Sequence, residues 1–184
     1  MDSIKQKQWK EIIRKVPNYP KPGILFFDIT SVFLHPEIYR EMIDAVCEEA
    51  KKFSPDFVAS VEARGFLFGA PVALKLGIPF VPVRKKNKLP GKVKEKSFSL
   101  EYGKDVVAVH ENDIPRGGRC LLIDDLAATG GTLAACCEMI EECGAEIAAV
   151  GCIIGLPFLP YREALKHYPV FTLMEFESEK QEEL

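Results

Sequence analysis

Apolar positions recur along this chain at two spacings, and the switches between them mark out the elements. Steps of three and four at Ile38, Met42, Val46, Ala50 and Phe53 predict a helix over 36–53, with Pro36 in its first turn. Ile4, Trp9, Ile12, Ile13 and Val16 make the apolar face of a shorter helix over 4–16, which stops at Pro17. NYPKPG at 18–23 then imposes an extended or turning path. Short apolar runs of strand length follow: ILFF (24–27), FVASV (57–61), IPFVPV (78–83), CLLI (120–123), IAAVGCIIGL (147–156) and VFTLMEF (170–176). Helical patterns lie between them at 66–77, closed by Gly77, and at 132–143, closed by Gly144, with a further turn or two over 161–167. Pro71 should kink the first of these or shift its start. FSLEY (98–102) and VVAVH (106–110) flank a glycine-containing turn and predict a hairpin. Apolar strands alternating with helices indicate an α/β fold, a twisted and mainly parallel sheet with helices on both faces.

Length and composition narrow this further. A chain of 184 residues with 47% apolar and 28% charged residues suits a single domain over 1–184. The net charge of −3 argues against a nucleic-acid partner, and no apolar run approaches a membrane span or resembles a signal peptide, so the expected location is cytoplasmic. Of the six cysteines, five lie in apolar stretches and Cys143 at a helix end; with no CxxC pair and no His cluster nearby, they read as buried small hydrophobes in a reducing compartment. The segment 84–96 departs from the pattern, with seven Lys or Arg and one Glu around Pro90-Gly91. Such a run is a solvated loop, a local anion site or a mobile cover.

The chemistry concentrates in CLLIDDLAATGGTLAA (120–135). An apolar strand ends in Asp124 and Asp125, a loop of small residues follows, and a helix begins. Ligands of open α/β sheets sit where strand ends meet helix starts, and a helix start offers free N–H groups and a positive dipole end to a phosphate. The loop is neither a Walker A loop nor a GxGxxG turn. Acids beside a phosphate cradle repel the ligand unless something separates the charges, and a ribose whose hydroxyls donate to the carboxylates does so, as does a bound Mg²⁺. The order of residues therefore outlines a ribose 5-phosphate site, against the plainer alternative of an acid-ended strand with a tight turn.

IDDLAATGGT resembles the phosphoribosyl pyrophosphate motif of the type I phosphoribosyltransferases. YPKPGILFFDIT (19–30), VEARGFLFGAPVA (61–73), RKKNKLPG (84–91), SLEYG (99–103) and LPFLPYREAL (156–165) extend the resemblance and narrow it to the adenine phosphoribosyltransferase branch. The resemblance implies transfer of phosphoribosyl from phosphoribosyl pyrophosphate to adenine, giving AMP and pyrophosphate, with Mg²⁺ brought by the substrate rather than held by the protein alone. It implies Glu101 as the acid/base group near purine N7, with Tyr102 helping to close the loop. Asp124 and Asp125 would take the ribose hydroxyls, and Ala128, Thr129, Gly130, Gly131 and Thr132 the 5′-phosphate. Glu62, Ala63 and Arg64 would form the pyrophosphate loop. Arg84 and Lys85 would reach the pyrophosphate of a neighbouring subunit, so a homodimer is implied, and Lys88 would belong to a closing cover. Leu25, Phe26 and Phe27 would line the base pocket, with Leu156 on its other side. The family form adds a small N-terminal cap over 1–35 and a flexible basic flap over 84–102, while the charged run ESEKQEEL predicts a loose, solvated tail over 177–184. Three positions depart from the family pattern: Phe27 stands where Arg is usual, Ala63 where Ser is usual and Gly155 where Glu is usual. Transfer to another purine base, or a non-catalytic protein that binds phosphoribosyl pyrophosphate or AMP, therefore stay open at this point.

Overall fold

A computed structural model describes residues 3–99 and 104–178. At the N-terminus, helix α1 (Ser3–Ile12) is followed by strand β1 (Arg14–Pro17), which pairs antiparallel with β2 (Leu25–Asp28), Val16 opposite Phe26. The expected helix over 4–16 therefore ends early. Ser31 is the reason: its hydroxyl donates to the Ile12 carbonyl at 2.7 Å and accepts the Arg14 N–H at 3.0 Å. Two backbone groups at the helix end are thus satisfied from elsewhere, and the chain is free to pair with β2. Trp9 and Ile13 are buried and Ile4 is exposed, so the apolar face splits between a docked and a solvated end.

Beyond a 3₁₀ turn (Ile29–Leu34), helix α2 (Pro36–Lys51) leads into strand β3 (Phe57–Val61), helix α3 (Arg64–Leu76) and strand β4 (Phe80–Lys85). A hairpin of β5 (Lys94–Ser99) and β6 (Lys104–Val109) follows. Strand β7 (Arg119–Ala127), helix α4 (Gly131–Glu142), strand β8 (Glu146–Gly155), the single turn α5 (Tyr161–Ala164) and strand β9 (Val170–Glu175) complete the described chain. Seven strands form one sheet in the order β5-β6-β4-β3-β7-β8-β9. The run β4-β3-β7-β8-β9 is parallel, and β6 pairs antiparallel with both β4 and β5. Alternation along the strands builds two cores. Val58, Leu121 and Ile123 pack with α2 and α3, whereas Phe57, Ala59, Cys120 and Leu122 pack with α4. All six cysteines are buried, Cys143 included. Among the described residues, no helix is long and apolar enough to cross a membrane.

Three departures from the sequence pattern shape the site. Helix α3 begins at Arg64, earlier than the pattern suggests, and contains Pro71. Pro71 has no N–H for the Leu67 carbonyl one turn back, and the Tyr39 hydroxyl donates to that carbonyl instead. Strand β7 runs past its apolar run because β8 accompanies it: Asp124 lies opposite Cys152, Leu126 opposite Ile154 and Ala127 opposite Gly155. The two acids therefore stand inside a strand, held on a paired backbone. The basic segment is strand at both ends, with Asn87 and Gly91 in the left-handed region between them. Two of its lysines pair with α4: Lys94 reaches Glu142 at 2.7 Å, and Lys96 reaches Glu142 at 2.6 Å and Glu138 at 2.8 Å.

Candidate active site

The end of β7 and the start of α4 form the first wall. Gly130, the N-cap of α4, has φ +80°. A Cβ there would lie 2.8 Å from Ala164 Cβ and 3.0 Å from Tyr161 Cα, so both conformation and space require glycine. No side chain caps α4 at this end. Its first N–H groups, including those of Gly131 and Thr132, are left for a ligand, and the helix dipole favours an anion there. Thr129 is exposed, while Ala128, Gly131 and Thr132 are partly buried.

Thr132, at the start of α4, faces a cavity of about 360 Å³. Its second wall comes from the β3–α3 turn and the end of β4. Asp124, Asp125 and Thr132 line it from the first wall; Glu62, Ala63, Arg64, Arg84 and Lys85 line it from the second. Helix α3 lies so close on β3 that a Cβ on Gly69 would be 2.5 Å from Ser60 Cβ, and this approach sets Arg64 over the strand ends. The Glu62–Ala63 peptide is cis. Each cation has an acidic partner: Arg64 Nε donates to Asp125 at 2.5 Å, Arg84 Nε to Glu62 at 2.9 Å, and Lys85 Nζ lies 3.2 Å from Asp105. The Arg84 hydrogen bond holds the Glu62 carboxyl below the usual range. Burial, and then the neighbouring Asp125 carboxylate, push the Asp124 carboxyl well above it. Among the described residues, no group of three or more His, Cys, Asp or Glu is placed to hold a metal ion.

None of the other described candidate residues lines this cavity. The Phe26 ring lies 5.6 Å from the Arg64 guanidinium and meets Tyr19 edge-on at 5.1 Å. Leu25, Phe27 and Leu156 are buried in the α2/α3 core. Phe27 stacks on Phe176 with centroids 4.2 Å apart, so its side chain turns inward. The Leu156 N–H donates to the Ala127 carbonyl at 3.0 Å, which ties the chain after β8 to the end of β7. Lys88 is exposed in the turn after β4. Arg84 and Lys85, which the resemblance sends to a neighbouring subunit, line the cavity of their own chain. Glu101 and Tyr102 lie outside the described residues.

A family profile described as the phosphoribosyl transferase domain matches residues 29–177. The chain belongs to the phosphoribosyltransferase family. It is 48% identical over 177 residues to a protein of Treponema denticola named adenine phosphoribosyltransferase, covering 96% of this chain and 93% of the relative. The crystal structure of adenine phosphoribosyltransferase from Thermoanaerobacter pseudethanolicus superposes with a TM-score of 0.90 at 38% identity, covering 93% of this chain and 99% of that one. The Saccharomyces cerevisiae enzyme, complexed with an imino-altritol bisphosphate and adenine, does so at 0.89 and 37%, covering 94% and 99%.

Within that family framework, two acids escaped the sequence reading. Asp105 lines the cavity opposite Lys85. It precedes an apolar run and carries no motif; only the antiparallel pairing of β4 with β6 brings it there. Glu175 stands opposite Gly155 across β8 and β9. A Cβ on Gly155 would lie 3.3 Å from Glu175 Cγ and 2.9 Å from the Tyr161 hydroxyl. Where the family pattern has Glu at 155, this chain brings a carboxylate to the neighbourhood from the adjacent strand.

Proposed function

We propose that this protein is an enzyme of purine salvage that transfers phosphoribosyl from phosphoribosyl pyrophosphate to adenine, giving AMP and pyrophosphate. The observation that carries the reading is the meeting, in one cavity, of the Asp124-Asp125 pair, the open start of α4 and the cations Arg64, Arg84 and Lys85. The loop Ala128–Thr132 receives the 5′-phosphate. Asp124 and Asp125 accept from the ribose hydroxyls, and the ribose keeps these carboxylates apart from the phosphate. Glu62, Ala63 and Arg64, with Arg84 and Lys85, receive the pyrophosphate, where charge-assisted donors count most as negative charge builds on the leaving group. Lys88 belongs to the cover over it. Leu25 and Phe27 offer backbone groups to the base edge, Phe26 its ring, and Leu156 closes the far side. Glu101 manages the purine proton, with Tyr102 beside it.

Mg²⁺ fits this donor set as an ion that arrives on substrate phosphates, because such ions bind through one or two carboxylates plus phosphate oxygens. When bound, it would neutralise charge on the departing pyrophosphate. The buried orientation of Phe27 supports adenine over an altered base, since an inward side chain leaves only backbone groups to meet the base. A homodimer in the cytoplasm completes the reading, with exposed Leu34, Leu67 and Leu74 as apolar surface for a second copy. The test offers each purine base separately with phosphoribosyl pyrophosphate and Mg²⁺. AMP from adenine alone is the expected result. Product from another base overturns the assigned specificity, and absence of any product overturns the activity.

A further inference from the structure

Glu175 is the hub of a hydrogen-bonded cluster behind the phosphate loop. Its Oε1 accepts from the Tyr161 hydroxyl at 2.8 Å and from Thr172 Oγ1 at 3.1 Å. Arg162 Nη2 donates to both carboxylate oxygens, at 2.8 and 2.9 Å, and Arg162 Nε donates to the Tyr161 hydroxyl at 3.2 Å. Tyr161, Arg162 and Glu175 thus close a triangle. Tyr161 is buried, and the space that would hold a Gly155 side chain is filled by the Tyr161 hydroxyl and Thr172.

The other side of the same turn touches the phosphate site. Tyr161 Cα and carbonyl oxygen lie 3.0 and 3.1 Å from where a Cβ on Gly130 would stand, and Ala164 Cβ lies at 2.8 Å. Helix α5 has only four residues, too short to be stable on its own hydrogen bonds alone. Its position is set from outside, and Glu175 is the group that engages two of its four side chains.

We infer that Glu175 is a positioning residue for the 5′-phosphate: through Tyr161 and Arg162 it fixes the turn against which Gly130 and the start of α4 are seated. The inference rests on the reading of Ala128–Thr132 as the phosphate cradle. Glu175 touches no substrate; it acts by holding the backbone donors of the loop at one distance.

The test is Glu175→Gln, which keeps the side-chain shape and an acceptor for Tyr161 but loses the charged fork to Arg162. Affinity for ribose 5-phosphate is measured by calorimetry, alongside KM for each substrate, kcat and the melting temperature. The expected result is a rise of about tenfold in both the Kd of ribose 5-phosphate and the KM of phosphoribosyl pyrophosphate, with the KM of adenine and kcat held within about twofold. Tyr161→Phe, a milder change in the same triangle, should show the same split at smaller size and stands in if the first variant does not fold. Unchanged Kd with a lowered melting temperature overturns the inference, because Glu175 then only holds the fold. A fall in kcat alone overturns it too. Failure of the parent protein to bind ribose 5-phosphate overturns the cradle itself, and the inference with it.

Discussion

In the proposed reading Asp124 accepts from a ribose hydroxyl, and the same carboxyl is costly to the free fold. Its carboxyl is pushed up by burial and by Asp125, so in the free protein its charge is a cost. The folded-state value lies above the ordinary 3.8, so the native state holds its proton longer than the unfolded chain does. Stability is therefore lost as pH rises from about 3.8 through the folded value, and the loss is complete above it. Asp124→Asn keeps the oxygen that accepts from the Asp125 N–H and removes the charge. It should raise the melting temperature at pH 7 by about 2–4 °C, the equivalent of ~1 kcal/mol in a chain this size, and leave it unchanged near pH 3. Affinity for ribose 5-phosphate should fall in the same variant. Thermal melts at the two pH values check the first half and calorimetry the second; a lower melting temperature at pH 7 would show that the charge is not a cost. Gly155 makes a complementary case. An alanine there brings a Cβ to 2.9 Å from both Thr172 Cγ2 and the Tyr161 hydroxyl, so Gly155→Ala should destabilise the protein by ~1–3 kcal/mol in denaturant titrations.

Elements formed where local spacing and distant partners agree, and moved where they did not. β3 coincides with FVASV, and α2 departs from the expected 36–53 only at its end, because apolar spacing alone specifies both. The first helix was cut short by Ser31, a partner some twenty residues away that no window along α1 contains. The IDDLAATGGT loop was legible because its parts are contiguous, whereas Asp105 and Glu175 reach their partners only through strand pairing. Two predictions belong at this scale. Tyr39→Phe keeps the ring against Phe33 and Phe68 but strips the Leu67 carbonyl of the donor that Pro71 cannot replace. It should cost ~1 kcal/mol in the same titrations, and no loss would mean that water serves the carbonyl equally well. The tie between β5 and α4 is electrostatic. Hydrogen bonds from Lys94, then Lys96, lower the Glu142 carboxyl from 4.5 to about 2. Its contribution is full above the unfolded value and is lost as pH falls from 4.5 to about 2. Glu142→Gln should therefore melt earlier than the parent at pH 7 and together with it near pH 2, and salt at about 1 M should narrow the gap at pH 7.

At the scale of the whole molecule, the cavity draws on the centre of the sheet. β3 and its turn supply Glu62 and Arg64, β4 supplies Arg84 and Lys85, β6 supplies Asp105, and β7 with α4 supplies Asp124, Asp125 and Thr132. These strands are neighbours in space but far apart in sequence, so the site exists only when the sheet is closed. A ligand that spans it binds the native state alone and stabilises the fold by mass action. AMP at about a hundred times its Kd should add about 2.7 kcal/mol, which raises the melting temperature of a chain this long by roughly 5–10 °C. Adenine at the same multiple of its own Kd should give the same shift, so the informative comparison is at equal concentration. There AMP, which in the proposed reading reaches both the base strand and the phosphate loop, should shift melting further than adenine. Added salt should shrink the AMP shift and leave that of neutral adenine in place, because screening weakens the hold of the helix start on phosphate. An AMP shift no larger than that of adenine, and equally indifferent to salt, would mean that the phosphate loop takes no part in binding.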